Sequence, residues 1–462
     1  MIVGVVVAQA GGPATSTLPP SASPSASAPV ATQPEGFLAT ATELKDRVAL
    51  GRQGTEPYAS ALADLLTWGQ TAVGTAPAPV SPLVVVGTEN ILVDDATRAY
   101  GLGLAYVATG DEAYATAARR TIRAWVDAVK STADTCTDNG GCNTSLILGR
   151  VAPGFIFGAD LIRTSASWSA ADTKALQDWL RTVILPAASE RPNNWGDAGT
   201  FLRIAAAEYI GDDAEFDAAV TKWRSLLDLV EPDGRIPEES RRGRDGISYT
   251  QEALQYKVAV AQLAERRGIN LWDAVGSQGG SLKVAFDRLA FYVRHPAQWP
   301  DATNPEVPDP GPAWEIAYAH WHDPAWVEFV QAARPYGDAG HSALRWTTLT
   351  NGVPIDESAG AGSPSASSGT SSALTPSTAP SPSPSISAAA QGLANLQVGL
   401  VSTAAPGDVR LRVAWSAPES GTVAIDSSTT GGWNPLLQSS RSTGTAIFSR
   451  AEGGFAVRGR VL

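Results

Sequence analysis

Between residues 37 and 350, apolar side chains recur every three or four positions, the spacing that places them on one face of an α-helix. Breakers such as Thr109-Gly110-Asp111 separate the periodic segments, so consecutive helices should be antiparallel neighbours joined by short loops. The pattern predicts helices over residues 42–50, 58–67, 95–108, 113–129, 169–185, 200–209, 215–229, 250–266, 282–292 and 324–333. This many helices in hairpin pairs favour a mainly α fold, an incomplete α/α toroid over residues 37–352, with a groove where the inner loops meet.

The pattern changes abruptly beyond the helical region. Residues 353–390 are almost wholly Ser, Ala, Pro, Gly and Thr, which predicts a disordered linker because such a segment cannot bury enough apolar surface to fold. Apolar and polar residues then alternate over 409–415, and similar short runs predict strands at 422–425, 445–448 and 455–461. Residues 391–462 therefore predict a small β-sandwich-like module. Its Trp415 and Trp433 could stack on sugar rings, but core positions are commoner for tryptophan.

The first 36 residues combine a signal-like start with a low-complexity tether. Residues 1–7 are apolar and residues 8–10, AQA, have the small-x-small form of a cleavage site, although no Lys or Arg precedes them. The apolar run is too short to span a bilayer. Pro, Ser, Ala and Thr dominate the rest of the segment, which predicts a disordered tether. We therefore expect an exported protein, secreted or held in the cell envelope or periplasm.

The chain has two cysteines, Cys136 and Cys142. Two cysteines are too few for a zinc site, which usually needs about four nitrogen or sulfur ligands. A small disulfide loop fits them better and agrees with an oxidising compartment. The alternative is a free, buried pair of thiols.

The net charge of -12 opposes general binding to nucleic acid or to anionic membranes. It also repels a polyanion at long range, so a polyanionic ligand would need a local cationic patch. Four arginines within ten residues offer one: Arg235, Arg241, Arg242 and Arg244. Because a guanidinium presents a planar fork of donors and stays protonated, the cluster suits a carboxylate or a phosphate. The alternative is a solvated basic loop.

Other polar residues lie near these arginines or in a neighbouring predicted loop. Asn193 and Asn194 fall in a loop before the next predicted helix, where a pair of asparagines on its own more often forms a turn or a cap. Tyr249 stands at the mouth of the helix predicted from residue 250. Glu238 and Glu239 could be the acid and base of a hydrolase, but adjacent glutamates usually diverge, and ion pairs with the arginines are the more frequent arrangement.

Seven short motifs follow one another along the helical region: 92–95 LVDD, 109–111 TGD, 191–196 RPNNWG, 232–238 PDGRIPE, 241–243 RRG, 247–250 ISYT and 312–315 PAWE. Together they resemble the alginate lyase superfamily of α/α-toroid polysaccharide lyases over residues 37–335. The resemblance implies β-elimination of a uronic-acid polymer by an asparagine, an arginine and a tyrosine. Those catalytic roles fall on Asn194, Arg242 and Tyr249. The reaction needs neither a metal nor another cofactor.

The three roles are chemically coherent. Elimination of a 4-O-linked sugar removes the C5 proton beside a carboxylate, and that proton is too weakly acidic until the carboxylate charge is neutralised. Arg242 and the Asn194 amide can supply donors that strengthen as enolate-like charge develops. Tyr249 would take the proton, provided that a cationic neighbour stabilises the tyrosinate. In D-mannuronate or D-glucuronate the C5 hydrogen and O4 lie on the same side, so one tyrosine can serve as base and then as acid.

One position departs from the family. Alginate-cleaving members carry a histidine directly after the second asparagine, where this chain has Trp195. That histidine helps to neutralise the carboxylate, so either another residue does so here or the substrate differs. His320 and His322 are candidates on spacing alone, against the commoner alternative of a surface or core histidine. The asparagine-tryptophan-glycine form resembles superfamily members that act on glucuronan or other uronates.

Several further residues are candidates for contacting the polymer. Trp195 and Trp314 are the tryptophans better placed for stacking in a groove, whereas Trp125, Trp168 and Trp179 lie on helical faces and predict core positions. The full set of predicted substrate-binding residues is Asn193, Trp195, Arg235, Arg241, Arg244, Trp314 and His320. The expected partner is an anionic polysaccharide, bound by a monomer.

Two other functions are open on the sequence alone. A glycoside hydrolase on the same scaffold would need two carboxylates across a cleft, and Asp197 with Glu238 is the pair that the chain offers. A non-catalytic polysaccharide-binding surface protein would account for the tethers and the small β module.

Overall fold

The computed structural model describes residues 36–85, 91–133 and 142–355, and the backbone of six strands between residues 395 and 461. The chain divides into two compact units, residues 1–360 and 361–462. Predictions for the signal-like segment, most of the linker and Cys136 lie outside the described residues. Cys142 is disulfide-bonded, and its pairing with Cys136 stays a prediction.

Fifteen α-helices occur among the described residues, and all ten predicted helices are present with shifted ends. In this part of the chain, none is long and apolar enough to cross a membrane. The helices are α1 Ala41–Arg52, α2 Tyr58–Ala72, α3 Ile91–Thr109, α4 Glu112–Ala128, α5 Thr144–Val151, α6 Pro153–Leu161, α7 Ala170–Trp179, α8 Asn194–Ile210, α9 Asp213–Leu227, α10 Pro237–Ser240, α11 Gly246–Glu265, α12 Leu282–Arg294, α13 Pro312–Trp321, α14 Val327–Ala333 and α15 Thr347–Thr350.

The periodicity misses two of the most buried helices, α5 and α6. All eight residues of α5 and eight of the nine residues of α6 are buried. A helix that is buried around its whole circumference has no polar face, so the sequence shows no alternation of apolar and polar residues with the helical period. Pro153 opens α6 directly after α5, since proline suits the first position of a helix.

The helices pack as hairpins around an inner layer. α3 contacts α4, α8 contacts α9, α11 contacts α12, and α13 contacts α14. Between the hairpins, α3 packs on α6, α5 and α6 pack on α8, α8 packs on α11, and α11 packs on α13. The inner helices are the more buried ones: 14 of the 17 residues of α8 are buried, against 6 of the 15 in α9. This arrangement is the predicted α/α toroid.

One continuous hydrophobic core runs through the helical unit, from Phe37 to Leu349. Trp125, Trp168 and Trp179 belong to it, as the helical periodicity predicts. The Trp179 indole N–H donates to a backbone carbonyl at 2.8 Å, which satisfies the polar edge of a buried ring.

The C-terminal unit contains two three-stranded antiparallel sheets, ordered β1-β2-β5 and β4-β3-β6. The strands are β1 Asn395–Ala405, β2 Asp408–Ser416, β3 Val423–Ser428, β4 Asn434–Ser439, β5 Thr443–Ala451 and β6 Ala456–Val461. The alternation predicts β2, β3, β5 and β6 and misses the other two. In the ladder, Trp415 pairs with Leu396 on one side and Gly444 on the other. Trp433 lies outside the described residues, and the packing of the two sheets as a sandwich stays a prediction.

Candidate active site

The two asparagines of the 191–196 motif begin α8 instead of lying in the predicted loop. Asn193 is the N-cap, because its side-chain oxygen accepts the Trp195 backbone N–H at 3.1 Å. Asn194 is the first residue of the helix and is fully buried. Neither its side-chain Nδ2 nor its Oδ1 has a hydrogen-bond partner among the described residues. A buried amide without partners is costly, so these atoms mark a place where a ligand could complete the hydrogen bonds.

Gly196 allows the motif to fold back on itself. A Cβ at this position would lie 1.8 Å from the carbonyl oxygen of Arg191, so only glycine fits. In the same turn, the guanidinium of Arg191 stacks on the ring of Trp195, 3.7 Å from its centroid. Trp195, which stands where the family has histidine, is therefore half-buried with one ring face covered by a cation.

Glu239, in the short helix α10, connects Asn194 to the arginine segment. Its Oε1 accepts the backbone N–H of Asn194 at 2.6 Å. Burial raises the pKa of Glu239 to about 8, and the nearby carboxylates of Asp197 and Glu252 add to the rise. The Asn194 N–H and the guanidinium of Arg242 oppose that rise without cancelling it. The Glu239 carboxyl is therefore largely protonated at neutral pH.

Arg242 and Tyr249 are in contact next to Glu239. The backbone N–H of Arg242 donates to the Glu239 carbonyl oxygen at 2.9 Å. Its guanidinium lies over the half-buried ring of Tyr249, with 4.4 Å between the guanidinium carbon and the ring centroid. Tyr249 stands in the first turn of α11. The three predicted catalytic residues, Asn194, Arg242 and Tyr249, are thus linked through Glu239.

A further arginine, Arg150, lies beside this tyrosine and is absent from the predicted set. It is buried in α5, and its Nε donates to Glu252 Oε1 at 2.7 Å. Burial alone would lower the pKa of Arg150, but the Glu252 carboxylate, and to a lesser degree Tyr256 and Tyr249, raise it. Arg150 therefore interacts electrostatically with Tyr249. The signal in the sequence is a lone arginine inside the apolar stretch 145–157, because a buried guanidinium has to be paired.

The site gathers the N-termini of two long helices. Asn194 opens α8, and Tyr249 lies in the first turn of α11. The unpaired N–H groups and the dipole of a helix make its N-terminus favourable for an anion. Together with Arg242, these helix ends bring positive charge to one place in a chain whose net charge is -12.

A buried ion pair joins α8 to α11 one turn after Asn194. Lys257 Nζ lies 2.6 Å from Asp197 Oδ1, and both side chains are 2% exposed. The pair fixes the two helices relative to each other. The ion pair also argues against Asp197 and Glu238 as the two catalytic carboxylates of a hydrolase. The Asp197 carboxylate is buried against a lysine, whereas Glu238 pairs with Arg241 at the surface.

Replacing Lys257 by methionine should destabilise the protein by about 3–5 kcal/mol, because the change leaves the Asp197 carboxylate buried without its cation. Urea unfolding at neutral pH measures the loss. The double variant Asp197→Leu with Lys257→Met should recover much of it, since an apolar pair of similar size carries no desolvation penalty. A loss below about 1 kcal/mol in the single variant would mean that the pair does not hold the helices together.

Trp314 is wrong as a predicted stacking residue. It lies on α13 and is fully buried against other aromatic side chains, including Phe329, with 4.4 Å between the ring centroids. Its indole N–H donates to Gln251 Oε1 at 2.9 Å. A side chain with no exposed surface cannot stack on a sugar, so Trp314 supports α11 from the core.

His320 is likewise not at the site. It stacks on Trp272, with 4.2 Å between the ring centroids. The Trp272 indole in turn donates to Glu265, the last residue of α11, which lies roughly 24 Å along the helix from Tyr249. Burial lowers the pKa of His320, which fits a packed imidazole. His322 ends the same helix, α13, so neither histidine takes the place of the one that the family carries.

The remaining predicted arginines surround the site without converging on it. Arg235 donates to Asp301 Oδ1 at 2.7 Å and is already occupied by that ion pair. Arg241 pairs with Glu238. The Arg244 side chain is exposed, and its carbonyl accepts a backbone N–H at 2.7 Å. Their roles in substrate binding stay predictions.

The helical unit, an α/α toroid with an amide and a phenol at the starts of two inner helices and a guanidinium beside the phenol, has the architecture of the toroid polysaccharide lyases. More particularly, residues 87–299 match the family described as alginate lyase. The predicted resemblance to the alginate lyase superfamily is confirmed.

Curated relatives agree with this assignment. A polysaccharide lyase of Stenotrophomonas maltophilia is 31% identical over 162 residues, which cover 33% of this chain and 43% of the relative. An alginate lyase of Pseudomonas syringae pv. syringae is 26% identical over 133 residues, covering 27% of this chain and 34% of the relative. The chain thus spans less than half the length of the curated relatives that it matches.

Solved structures show the same fold. Alginate lyase A1-III from Sphingomonas species A1 aligns with a TM-score of 0.56 and 17% identity, covering 70% of this chain and 98% of that one. An alginate lyase from Bacteroides ovatus aligns with a TM-score of 0.52 and 18% identity, covering 68% and 98%. At these identities the likeness establishes the toroid and leaves the chemistry to the residues at the site.

Proposed function

We propose that the helical unit is a polysaccharide lyase that cleaves a 4-O-linked uronic-acid polymer by β-elimination. One observation carries the proposal: the buried side-chain amide of Asn194 lacks hydrogen-bond partners among the described residues, while the backbone N–H of the same residue is linked through Glu239 to an arginine stacked on a tyrosine. The match of residues 87–299 to the alginate lyase family supports the same class of reaction. A hydrolase would need two carboxylates facing across a cleft, and Asp197 and Glu238 have other partners.

In this proposal, Asn194 and Arg242 hold the carboxylate of the sugar that loses its proton. The amide Nδ2 and the guanidinium donate hydrogen bonds that strengthen as enolate-like charge develops on the carboxylate. The N-termini of α8 and α11 add partial positive charge that is in place before the substrate binds. Because the protein supplies these dipoles without reorganisation, they stabilise the transition state more than the ground state.

Tyr249 is the base and then the acid. Its phenolate oxygen takes the C5 proton, the electron pair left on C5 forms the C4=C5 double bond, and the C4–O4 bond breaks. The phenol then returns the proton to O4 of the leaving sugar, which restores the tyrosinate. The cations that this role calls for beside the base are Arg242, which lies over the ring, and the buried Arg150.

Mannuronan and glucuronan are the substrates that fit this route best. In both, the C5 hydrogen and O4 lie on the same side, so a single tyrosine reaches both atoms. Trp195 argues against a commitment to alginate, because its ring is covered by Arg191 and does not replace the family histidine. The signal-like N-terminus supports action outside the cytoplasm, in a secreted, cell-envelope or periplasmic location.

A screen of the full chain on mannuronan, guluronan, glucuronan and glycosaminoglycans tests the proposal. We expect mannuronan or glucuronan to give an unsaturated uronyl end, which absorbs at about 235 nm and which only elimination creates. A neutral polysaccharide should give no signal. New reducing ends without that absorbance would mean hydrolysis, and binding without either signal would mean a non-catalytic polysaccharide-binding protein.

A further inference from the structure

The mechanism leaves one buried acid at the site unused. Glu239 is fully buried, and its Oε2 has no hydrogen-bond partner among the described residues. Its neighbour Glu238 differs, because it pairs with Arg241 at the surface. An ionised carboxylate that is buried with one oxygen unpartnered would lose its hydration without compensation. The geometry alone therefore favours a protonated Glu239.

The charged groups around Glu239 come from each element packed against it. They are Asp197 on α8, Glu252 on α11 and Arg242 after α10, with Lys257 and Arg150 paired to the two carboxylates. The two carboxylates disfavour a third negative charge, whereas the guanidinium favours it. Because burial and the carboxylates outweigh the guanidinium, the pKa of Glu239 rises to about 8.

We propose that Glu239 is a positioning residue whose proton is required for binding of the substrate carboxylate, so that substrate affinity falls when this side chain ionises. The inference rests on the proposed function, because it concerns the anion that Asn194 and Arg242 bind. The neutral acid holds the backbone of Asn194 through its Oε1 and leaves the amide and the guanidinium available to the substrate. The ionised acid places a negative charge beside the Arg242 guanidinium and competes with the substrate carboxylate for it.

The proton on Glu239 matters more because this chain has Trp195 where the alginate-cleaving members have a histidine. A histidine after the second asparagine would bring a further donor, and a positive charge when protonated. Here the ring at that position is stacked under Arg191, so the positive charge for the substrate carboxylate falls mainly on Arg242 and the two helix ends. A carboxylate at Glu239 would cancel much of that charge.

The test is the pH dependence of KM and kcat for the unaltered protein and for Glu239→Gln, on a polymer that gives the unsaturated product. KM of the unaltered protein should be flat below about pH 8 and rise about tenfold per pH unit above it, because only the protonated fraction binds. Glu239→Gln keeps the shape and the hydrogen-bond acceptor without the ionisation, so its KM should stay flat. Proton transfer by Tyr249 affects kcat, whereas ionisation of Glu239 should affect KM. The two effects can therefore be measured separately.

Glu238→Gln is the matched control, since it removes an adjacent carboxyl that lies at the surface. It should keep the alkaline rise in KM that the unaltered protein shows. The same rise in Glu239→Gln, or a flat KM in the unaltered protein, would overturn the proposal. Should Glu239→Gln fail to fold, the KM profile of the unaltered protein decides by itself.

Stability gives a readout that does not depend on catalysis. The folded-state pKa of Glu239, about 8, lies above its ordinary value of 4.5, so the folded protein holds this proton more tightly than the unfolded chain. The resulting stabilisation is fully present below about pH 4.5 and is lost as the pH rises to about 8. The free energy of unfolding, measured in urea, should therefore fall across this window more in the unaltered protein than in Glu239→Gln.

The two readouts separate two kinds of failure. Equal pH dependence of the unfolding free energy in both proteins would show that Glu239 is not protonated, and the positioning role would be wrong even if a polymer is cleaved. A clear difference in stability without unsaturated product from any uronate polymer would instead overturn the proposed function, and with it the role of the Glu239 proton in substrate binding.

Discussion

Replacing Tyr249 by phenylalanine is expected to lower kcat by about 100- to 10,000-fold and to leave KM nearly unchanged, since general acid–base groups contribute that much to turnover. The phenylalanine ring can keep the contact with Arg242, whose guanidinium carbon lies 4.4 Å from the ring centroid. The arginine therefore stays in place for the carboxylate, and only the hydroxyl that moves the proton is lost. Initial rates from the absorbance of the unsaturated product give kcat and KM separately.

Tyr292→Phe is the matched control for this change. Tyr292 also lies under an arginine, Arg288, with 4.9 Å between the guanidinium carbon and the ring centroid, and it has no part in the proposed mechanism. Its replacement should leave turnover normal. Near-normal turnover in Tyr249→Phe would remove Tyr249 from the mechanism, and a loss confined to KM would make it a binding residue only.

The fold could be predicted where a helix has one buried face. In α4, Ala115, Ile122 and Trp125 are buried while the opposite side is solvated, and the periodicity finds both ends within one residue. α5 is buried on every side, so no period is visible. α8 begins six residues before the predicted start, because its first turn holds buried polar residues, among them Asn194 and Asp197, whose types resemble a loop.

The site could be predicted only in part, because one sequence gives motifs and not contacts. The motif order places Asn194, Arg242 and Tyr249, yet nothing in the spacing shows that Glu239 contacts Asn194, which lies 45 positions earlier in the chain. Trp314 is a tryptophan, the residue type expected to stack on a sugar, but it lies on a helix that is almost wholly buried. That burial results from the packing of α13 on its neighbours, which the sequence does not show. Chemistry that depends on burial, such as the protonation of Glu239, becomes visible only in three dimensions.

The second large effect is expected at Arg242. Arg242→Lys keeps a positive charge but replaces a planar fork of donors by a compact ammonium, which cannot bind a carboxylate through two parallel hydrogen bonds. We expect kcat/KM to fall by about 100- to 1,000-fold, the range for loss of one donor to a developing oxyanion. The loss should be larger in kcat than in KM, because the hydrogen bonds strengthen as charge moves onto the carboxylate.

Arg288→Lys is the matched control, because Arg288 is also stacked on a tyrosine and is already paired with Asp233. It should retain normal kcat/KM, which separates loss of the fork at Arg242 from loss of any arginine–tyrosine stack. If Arg242→Lys is as active as the unaltered protein on every uronate polymer, another cation holds the carboxylate. Arg150 would then be the next arginine to replace, since it is buried against Glu252 and acts electrostatically on Tyr249 from α5.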